Sequence, residues 1–204
     1  MKIRVAKHGT ALWNLAATAV QEKYQNAYEA QVEPNPENFV VAMDDNQNTL
    51  ACAGITFAEH ISLFSEQYLE KPIELLVREM WQREYYRSDI AEIGNLISND
   101  KNASLSIIKL VPLLAWCMGA KALLCTVTPK VASLLKACDI EFEPICAADP
   151  AKVAGGARAW GSYYDSHPVT GLIHVANHRA LFHRLTTSMD FVRSNHASQL
   201  ETVS

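Results

Sequence analysis

Glu92 is the side chain in this sequence whose setting points most directly to catalysis. It lies between Ile90 and Ile93, near the middle of an apolar segment that is typical of a β-strand. A buried carboxylate without a partner is costly, so a Glu92 that faces a cleft would have a raised pKa and would suit a general base acting on an amine. The alternative is a structural role, in which Glu92 is exposed on the strand or is paired with Arg87.

The residues that follow Glu92 predict a second kind of chemistry. Asn95 and the backbone carbonyls of Gly94 and Leu96 lie toward the end of the strand, where a splayed sheet would receive a thioester arm or hold its carbonyl oxygen. The plainer interpretation of Asn95 is a satisfied turn residue. The polar turn 98–102 leads into an apolar helix, whose unpaired N–H groups and positive dipole end suit a phosphate. The residues predicted to bind the thioester arm and its phosphate, called the donor-binding residues below, are Leu96, Ile97, Ser98, Lys101, Ser104 and Ser106.

Two further segments combine polar atoms with apolar and aromatic side chains. The first, FSEQYL, carries Glu66 beside Tyr68, and the second, WGSYY, carries Tyr164, whose hydroxyl would be able to protonate a leaving thiolate. Both segments also fit a purely structural role, as a capped surface loop and a packing cluster. With Glu92 and Asn95, the predicted catalytic residues are Glu66 and Tyr164. The predicted substrate-binding residues are Phe64, Tyr68, Trp160 and Tyr163.

Several other kinds of site are disfavoured by spacing. His174 and His178 are four residues apart, but no HExxH pattern accompanies them, so we expect no metal. No GxSxG sequence occurs. The five cysteines are odd in number and have no CxxC spacing, which favours buried, reduced thiols and a cytoplasmic location.

Length and composition are typical of a single globular domain. The chain has 204 residues, 49% of them hydrophobic and 20% charged, and its formal net charge of −4 gives no reason to expect nucleic-acid binding. The basic start followed by ALWNLAATAV imitates a secretory signal, but Asn14 interrupts the apolar run, so a first strand and helix are predicted instead. No run of about 18 apolar residues is present, so no membrane-spanning helix is expected.

The order of predicted elements indicates an α+β domain with a mixed, twisted sheet. The segment around Glu92, the helix after it and the next apolar run form a strand-helix-strand unit, which should be parallel. Gly54 inside a strand predicts a bulge or a close approach by another chain or a ligand. The predicted strands cover 3–6, 39–43, 50–57, 90–96, 120–127, 140–145 and 169–176. The predicted helices cover 11–30, 72–81, 107–115, 129–138 and a terminal segment that includes 181–185.

This order of elements resembles the GNAT acyltransferase fold, and the set FSEQYL, EIGNL and WGSYY resembles the thermostable hemolysin family, which is similar to acyl-homoserine-lactone synthases. In those synthases serine and arginine follow the strand glutamate two and three positions later, where this chain has Gly94 and Asn95. The glycine-rich phosphate turn of GNAT enzymes is replaced by ISNDKNAS, in which Asp100 would repel a pyrophosphate. The resemblance implies a GNAT-like domain over residues 1–193, with a flexible tail over 194–204.

The resemblance also implies a function, an N-acyltransferase that moves a fatty acyl group from a CoA or acyl-carrier-protein thioester to a small-molecule amine. No permanently bound cofactor is expected, and a homodimer is possible. Two alternatives stay open: a membrane-active cytolysin, as the family name implies, and a GNAT-like binding module without turnover.

Overall fold

The computed structural model describes residues 1–187, and the sheet at its centre is continuous across seven strands. Its strands are β1 (Lys2–Lys7), β2 (Asn38–Met43), β3 (Thr49–Phe57), β4 (Ile90–Ser98), β5 (Ala122–Val127), β6 (Glu143–Ala147) and β7 (Val169–His174). They lie in the order β1-β2-β3-β4-β5-β7-β6, and every neighbouring pair is antiparallel except β4 and β5. The predicted parallel strand-helix-strand unit is thereby confirmed.

Within residues 1–187, five α-helices cover the two faces of this sheet. They are α1 (Ala11–Tyr28), α2 (Ile73–Trp81), α3 (Lys101–Cys117), α4 (Pro129–Ala137) and α5 (Arg179–Thr187). Three of them begin at a side-chain cap, in which Thr10, Asp100 or Thr128 accepts a hydrogen bond from the backbone N–H three residues later. Helix α3 starts two residues after β4 ends, because Asp100 takes up an orphan N–H as soon as the strand stops.

The strict alternation of side chains along the strands divides the core into two sides. Val40 and Ala42 pack with α3, α4 and α5, whereas Phe39 and Val41, their neighbours in sequence, pack with α1. A third cluster includes Ile90 and joins α2 to the same face as α1. Glu92 is two residues after Ile90, so it points to the face of α1 and α2.

Gly54 lies at the predicted bulge, and its close contact is with another segment of the same chain. The pairing of β3 with β4 shifts between Cys52 and Gly54, and a Cβ atom built on Gly54 would lie 2.7 Å from Cβ of Pro36 and 3.2 Å from Oδ1 of Asn95. A side chain at this position would therefore displace the 31–37 segment or Asn95.

The mixed α+β fold is confirmed, with corrections of detail. Strand β6 begins at Glu143 and not at residue 140. The apolar side chains of α2 are not all buried: Leu75 and Met80 are 41% and 38% exposed, whereas Ile73 and Val77 are fully buried. The predicted tail lies outside the described residues.

Candidate active site

Strands β4 and β5 separate part-way along their length. They pair in parallel only from Ile90–Ile93 to Ala122–Cys125, after which β5 continues its pairing with β7 as far as Val127. Beyond Ile93 the backbone of β4 no longer pairs with β5, and two cavities lie at the opening between the strands. This is the splayed sheet that the sequence predicted for a thioester arm.

Asn95 has the backbone conformation that redirects β4 at the opening. Its φ is +52°, in the left-handed region that asparagine tolerates better than most side chains. Asn95 and Leu96 together face one residue of β3, so the strand carries one extra residue at this point. The bulge inverts the alternation: Ile93 packs on the α3 side, whereas Ile97 packs on the α1 side.

The smaller cavity, of about 220 Å³, runs under α3 and is mainly apolar. It exceeds an engineered cavity of about 150 Å³ that binds benzene, so it has room for an alkyl chain. Of the predicted donor-binding residues, Leu96, Ile97, Ser98 and Ser104 line it. Its cations are Lys23 and Lys130. Its apolar lining includes Ala53, Ile93, Ile107, Ile108, Val111, Pro112, Cys125, Val127, Val131, Leu134, Leu135 and Ile173.

The first turn of α3 is less available to a phosphate than its sequence predicted. The carboxylate of Asp100 accepts the Ala103 N–H at 2.8 Å, so the helix start already carries an anion. Lys101 is exposed, and neither Lys101 nor Ser106 lines the cavity. Basic groups at the cavity come instead from α1 and α4, through Lys23 and Lys130.

The larger cavity, of about 630 Å³, lies on the other side of β4 and is walled by aromatic rings. All four predicted substrate-binding residues line it, together with Glu92 and Asn95. Residues that line both cavities are Tyr24, Ile93, Gly94, Asn95, Thr126 and Tyr163. The two cavities therefore meet at the bulge in β4.

Glu92 is buried at the floor of the larger cavity, with an exposed fraction of 8%. Its Oε2 accepts the Phe64 N–H at 2.7 Å, and its Oε1 accepts the Ser65 N–H at 3.0 Å and the Ser65 hydroxyl at 2.5 Å. Burial raises the pKa of Glu92, against the opposing effect of these hydrogen bonds. A carboxylate has about four acceptor positions, and three are used here, which leaves one on Oε2 for a ligand. Neither structural alternative applies, since Glu92 is not exposed and Arg87 pairs elsewhere.

A chain of hydroxyls leads away from Glu92 into the sheet. Because the Ser65 hydroxyl donates to Glu92, it accepts from Thr126 at 2.8 Å, and Thr126 in turn accepts from Thr170 at 2.7 Å. These side chains share one face, since Thr126 lies two residues after Leu124 and Thr170 two before Leu172. Ser65 and Thr170 are almost fully buried, so the chain orients its protons toward the carboxylate.

Glu66 is held by Arg87, which also organises the loop over Glu92. The Arg87 guanidinium donates to both oxygens of Glu66 at 2.9 and 2.8 Å, to Glu74 at 2.9 Å, and to the carbonyls of Ala58 and Ile61. Burial opposes ionisation of Glu66, but hydrogen bonds from Arg87 and from the backbone outweigh it, so the pKa of Glu66 is lowered. Glu66 lines neither cavity.

The aromatic wall is built around Trp160. Its ring centroid lies 5.1 Å from that of Phe64, 5.3 Å from Tyr163 and 6.1 Å from Tyr24. Behind this wall the hydroxyl of Tyr164 is 2.5 Å from that of Tyr68, and Tyr164 itself lines neither cavity. Burial, and then the hydrogen bond with Tyr164, raise the pKa of Tyr68. Tyr164 thus lies behind three residues that line the cavity, Tyr68, Trp160 and Tyr163.

The sequence profile of the family described as Thermostable hemolysin matches residues 6–178. The chain belongs to this family. No curated protein matches its sequence. Within residues 1–187 of this thermostable hemolysin-family chain, no helix is long and apolar enough to cross a membrane. Nor do three or more His, Cys, Asp or Glu side chains come together in the described residues as a metal site would require.

Solved structures place the thermostable hemolysin-family chain in a GNAT-like fold shared with acyl-transferring synthases. BjaI, a CoA-dependent acyl-homoserine-lactone synthase, is similar with a TM-score of 0.60 and 12% identity over 91% of this chain and 88% of its own. FeeM, an N-acyl amino acid synthase from uncultured soil microbes, has a TM-score of 0.59 and 12% identity over 89% of this chain and 99% of its own. TofI has a TM-score of 0.58 and 15% identity over 90% of this chain and 97% of its own.

Sequence reasoning missed several residues of this family member's site. The loop 31–36 contributes Gln31, Glu33 and Asn35 to the larger cavity, and α1 contributes Tyr24 to both. The sequence signal here is the alternation of these polar residues with Val32, Pro34 and Pro36, which indicates that one side of the segment is buried against the protein and the other is exposed. Ser65 was adjacent to a predicted residue, but its contact with Glu92 crosses 27 positions and had no local signal.

Proposed function

We propose that this chain is an N-acyltransferase that moves an acyl group from a CoA or acyl-carrier-protein thioester to the amine of a small molecule. The observation that carries the proposal is the buried carboxylate of Glu92 beside the point where the parallel strands β4 and β5 separate. Two cavities lie at this opening and meet at Asn95. The fold shared with BjaI and FeeM, whose names describe acyl-transferring synthases, supports it.

The smaller cavity takes the donor. Its apolar lining receives the alkyl chain, which gains about 0.8 kcal/mol for each CH₂ removed from water. Ser98 and Ser104 donate to the phosphopantetheine arm, and Lys23 and Lys130 attract its phosphate. Lys101 and Ser106, at the start of α3, act only at longer range.

The larger cavity takes the amine, whose proton is accepted by Glu92 on the free position of Oε2. The amine nitrogen forms a bond to the thioester carbonyl carbon, the C–S bond breaks, and the proton ends on the departing sulfur as a free thiol. Asn95, which borders both cavities, donates to the carbonyl oxygen as negative charge develops. Holding amine and thioester together contributes about 7–11 kcal/mol to lowering the barrier.

Two predicted catalytic residues take supporting roles. Glu66 orders the loop that delivers the Phe64 and Ser65 N–H groups to Glu92, through its ion pair with Arg87. Tyr164 fixes the hydroxyl of Tyr68, which faces the ligand and donates a hydrogen bond to the leaving sulfur, while the proton that neutralises the thiolate is the one taken from the amine.

The test is direct. Purified full-length protein is incubated with acyl-CoA or acyl-carrier protein and a pool of small amines, and the products are separated by mass spectrometry. We expect a new acyl amide that is formed in step with free thiol. Release of free acid without any amide would show a thioesterase, and binding of donor without thiol release would show a module without turnover.

The family name raises one rival, direct lysis of membranes. Haemolysis is therefore measured with the same purified protein, before and after incubation with acyl donor and amine. Lysis that appears only after incubation identifies a lipid product as the lytic agent. Lysis by protein alone, equal in the Glu92→Gln variant, would favour the cytolysin.

A further inference from the structure

The two cavities differ in charge. Glu92 lies at the floor of the larger one and the exposed Glu33 at its rim, and no Lys, Arg or His among residues 1–187 lines it. Lys23 and Lys130 line the smaller one, where the described part of the chain places no Asp or Glu. The side assigned to the phosphate-bearing donor is therefore basic, and the side assigned to the amine is acidic.

The acidic cavity is also lined with the side chains that attract ammonium groups. Tyr24, Phe64, Tyr68, Trp160 and Tyr163 all face it, with successive ring centroids 5.1 to 6.1 Å apart. A cation within about 6 Å of an aromatic face is stabilised by the ring quadrupole, and more strongly when water is excluded. The rings thus add to the attraction by the two carboxylates.

An acceptor that carries its own carboxylate would be poorly accommodated here. Among the described residues such a group would lose its hydration without meeting a cation, and it would lie near the carboxylates of Glu92 and Glu33. Only neutral donors such as Gln31, Asn35 and Ser62 line the cavity to compensate. An amino acid with a free carboxylate is therefore the wrong acceptor for this surface.

We propose that the acceptor is a cationic amine without a carboxylate, of the alkyl diamine or polyamine class. Its reacting nitrogen meets Glu92 at the cavity floor, and a second ammonium lies against Glu33 and the aromatic wall. This inference rests on the proposed acyl transfer for the identity of the reacting group, but the binding preference is a property of the cavity itself.

Three amines with the same four-carbon chain separate the possibilities. 1,4-Diaminobutane carries a second ammonium, butylamine has none, and 4-aminobutanoate has a carboxylate in its place. Calorimetry on the full-length protein without acyl donor should show the diamine binding at least about tenfold more tightly than 4-aminobutanoate. No detectable diamine binding, or tighter binding of 4-aminobutanoate, overturns the proposal.

With an acyl-CoA as donor, the diamine should also be acylated faster than 4-aminobutanoate. This measurement separates the inferred acceptor class from the proposed acyl-transfer function. If no amine is acylated while the diamine still binds preferentially, the acyl-transfer function fails and the assigned ligand class stands. If amides form but amino acids are acylated as well as diamines, the function stands and the ligand class fails.

A matched pair of variants locates the second ammonium. Glu33→Gln should raise KM for the diamine several-fold and leave the kinetics with butylamine unchanged, because butylamine has no second charge. Glu37→Gln, on the same loop and outside the cavity lining, is the control and should leave both amines unaffected. Equal losses with both amines in Glu33→Gln would mean that Glu33 only supports the fold, and would overturn its role.

Discussion

The Ser65 hydroxyl lies 2.5 Å from Oε1 of Glu92, and the two residues come from a short 3-10 turn (Phe64–Tyr68) and from strand β4. Together with the N–H groups of Phe64 and Ser65, this contact offsets part of the cost of burying an ionised carboxylate, although burial still raises the pKa of Glu92. The loop therefore sets the protonation state of the proposed base.

Replacing the base tests it most directly. Glu92→Gln keeps the shape of the side chain but removes its basicity, so acyl transfer should fall by about 10²–10⁴-fold. Amide formation measured by mass spectrometry reports the loss, and circular dichroism checks the fold. Glu79→Gln, an exposed carboxylate on α2, serves as the control. Intact turnover in Glu92→Gln would rule out the base assignment.

The hydrogen bond from Ser65 predicts a shift in pH dependence. The base works only when deprotonated, so kcat/KM should fall as the pH drops through the pKa of Glu92. Ser65→Ala removes a contact that lowers this pKa, so the acid limb should move to higher pH. Ser62→Ala, which lines the cavity without touching Glu92, should leave the profile in place. If Ser65→Ala lowered the maximal kcat/KM but left the acid limb of the pH profile in place, the assignment of Glu92 as the base would be contradicted.

The apolar cavity predicts which acyl chains are accepted. Val111 lines it and is 2% exposed, so Val111→Phe should shorten the space and select against longer chains by about tenfold or more in kcat/KM. The measurement is a series of saturated acyl-CoAs. Val77→Phe overpacks the opposite face of the sheet and controls for the expected destabilisation of about 1–3 kcal/mol. An unchanged chain-length profile would place the acyl group elsewhere.

The basic rim predicts an electrostatic contribution to donor binding. Lys130→Ala should raise KM for acyl-CoA several-fold at low salt with kcat nearly unchanged, because the phosphate is equally bound in ground and transition states. The effect should diminish as ionic strength rises. Lys136→Ala, on the same helix but away from the cavity, is the comparison. Equal KM changes in both variants would indicate only a general effect of net charge.

At Asn95 the contribution of the positive-φ backbone to stability can be separated from the contribution of the side-chain amide to catalysis. Asn95→Gly retains a residue that tolerates positive φ, so the free energy of unfolding should stay near that of the parent, while kcat falls by up to about 10²-fold through the lost amide. Asn95→Val should cost at least about 1–2 kcal/mol of stability, because a β-branched side chain is strained there. Full activity in Asn95→Gly would show that only the bulge is needed.

Local patterns in the sequence determined much of the fold. The two apolar runs 39–43 and 50–57, joined by a polar turn, indicated an antiparallel hairpin. The polar turn before the apolar run 107–115 indicated the strand-to-helix step. Both signals depend on near neighbours in the sequence. Caps such as Thr10 are local in the same way. Glu92 was identified on similar grounds, as a charge inside an apolar segment.

Contacts between distant parts of the chain were decided by the tertiary structure. Arg87 was a candidate partner for Glu92 by proximity in sequence, yet it pairs with Glu66 and Glu74, and Ser65 takes its place at the carboxylate. The extra residue at Asn95 moves Ile97 to the other face of the sheet from Ile93, which no periodic pattern reveals. The opposite charges of the two cavities depend on which loops and helices converge, and packing of the whole core settles that convergence.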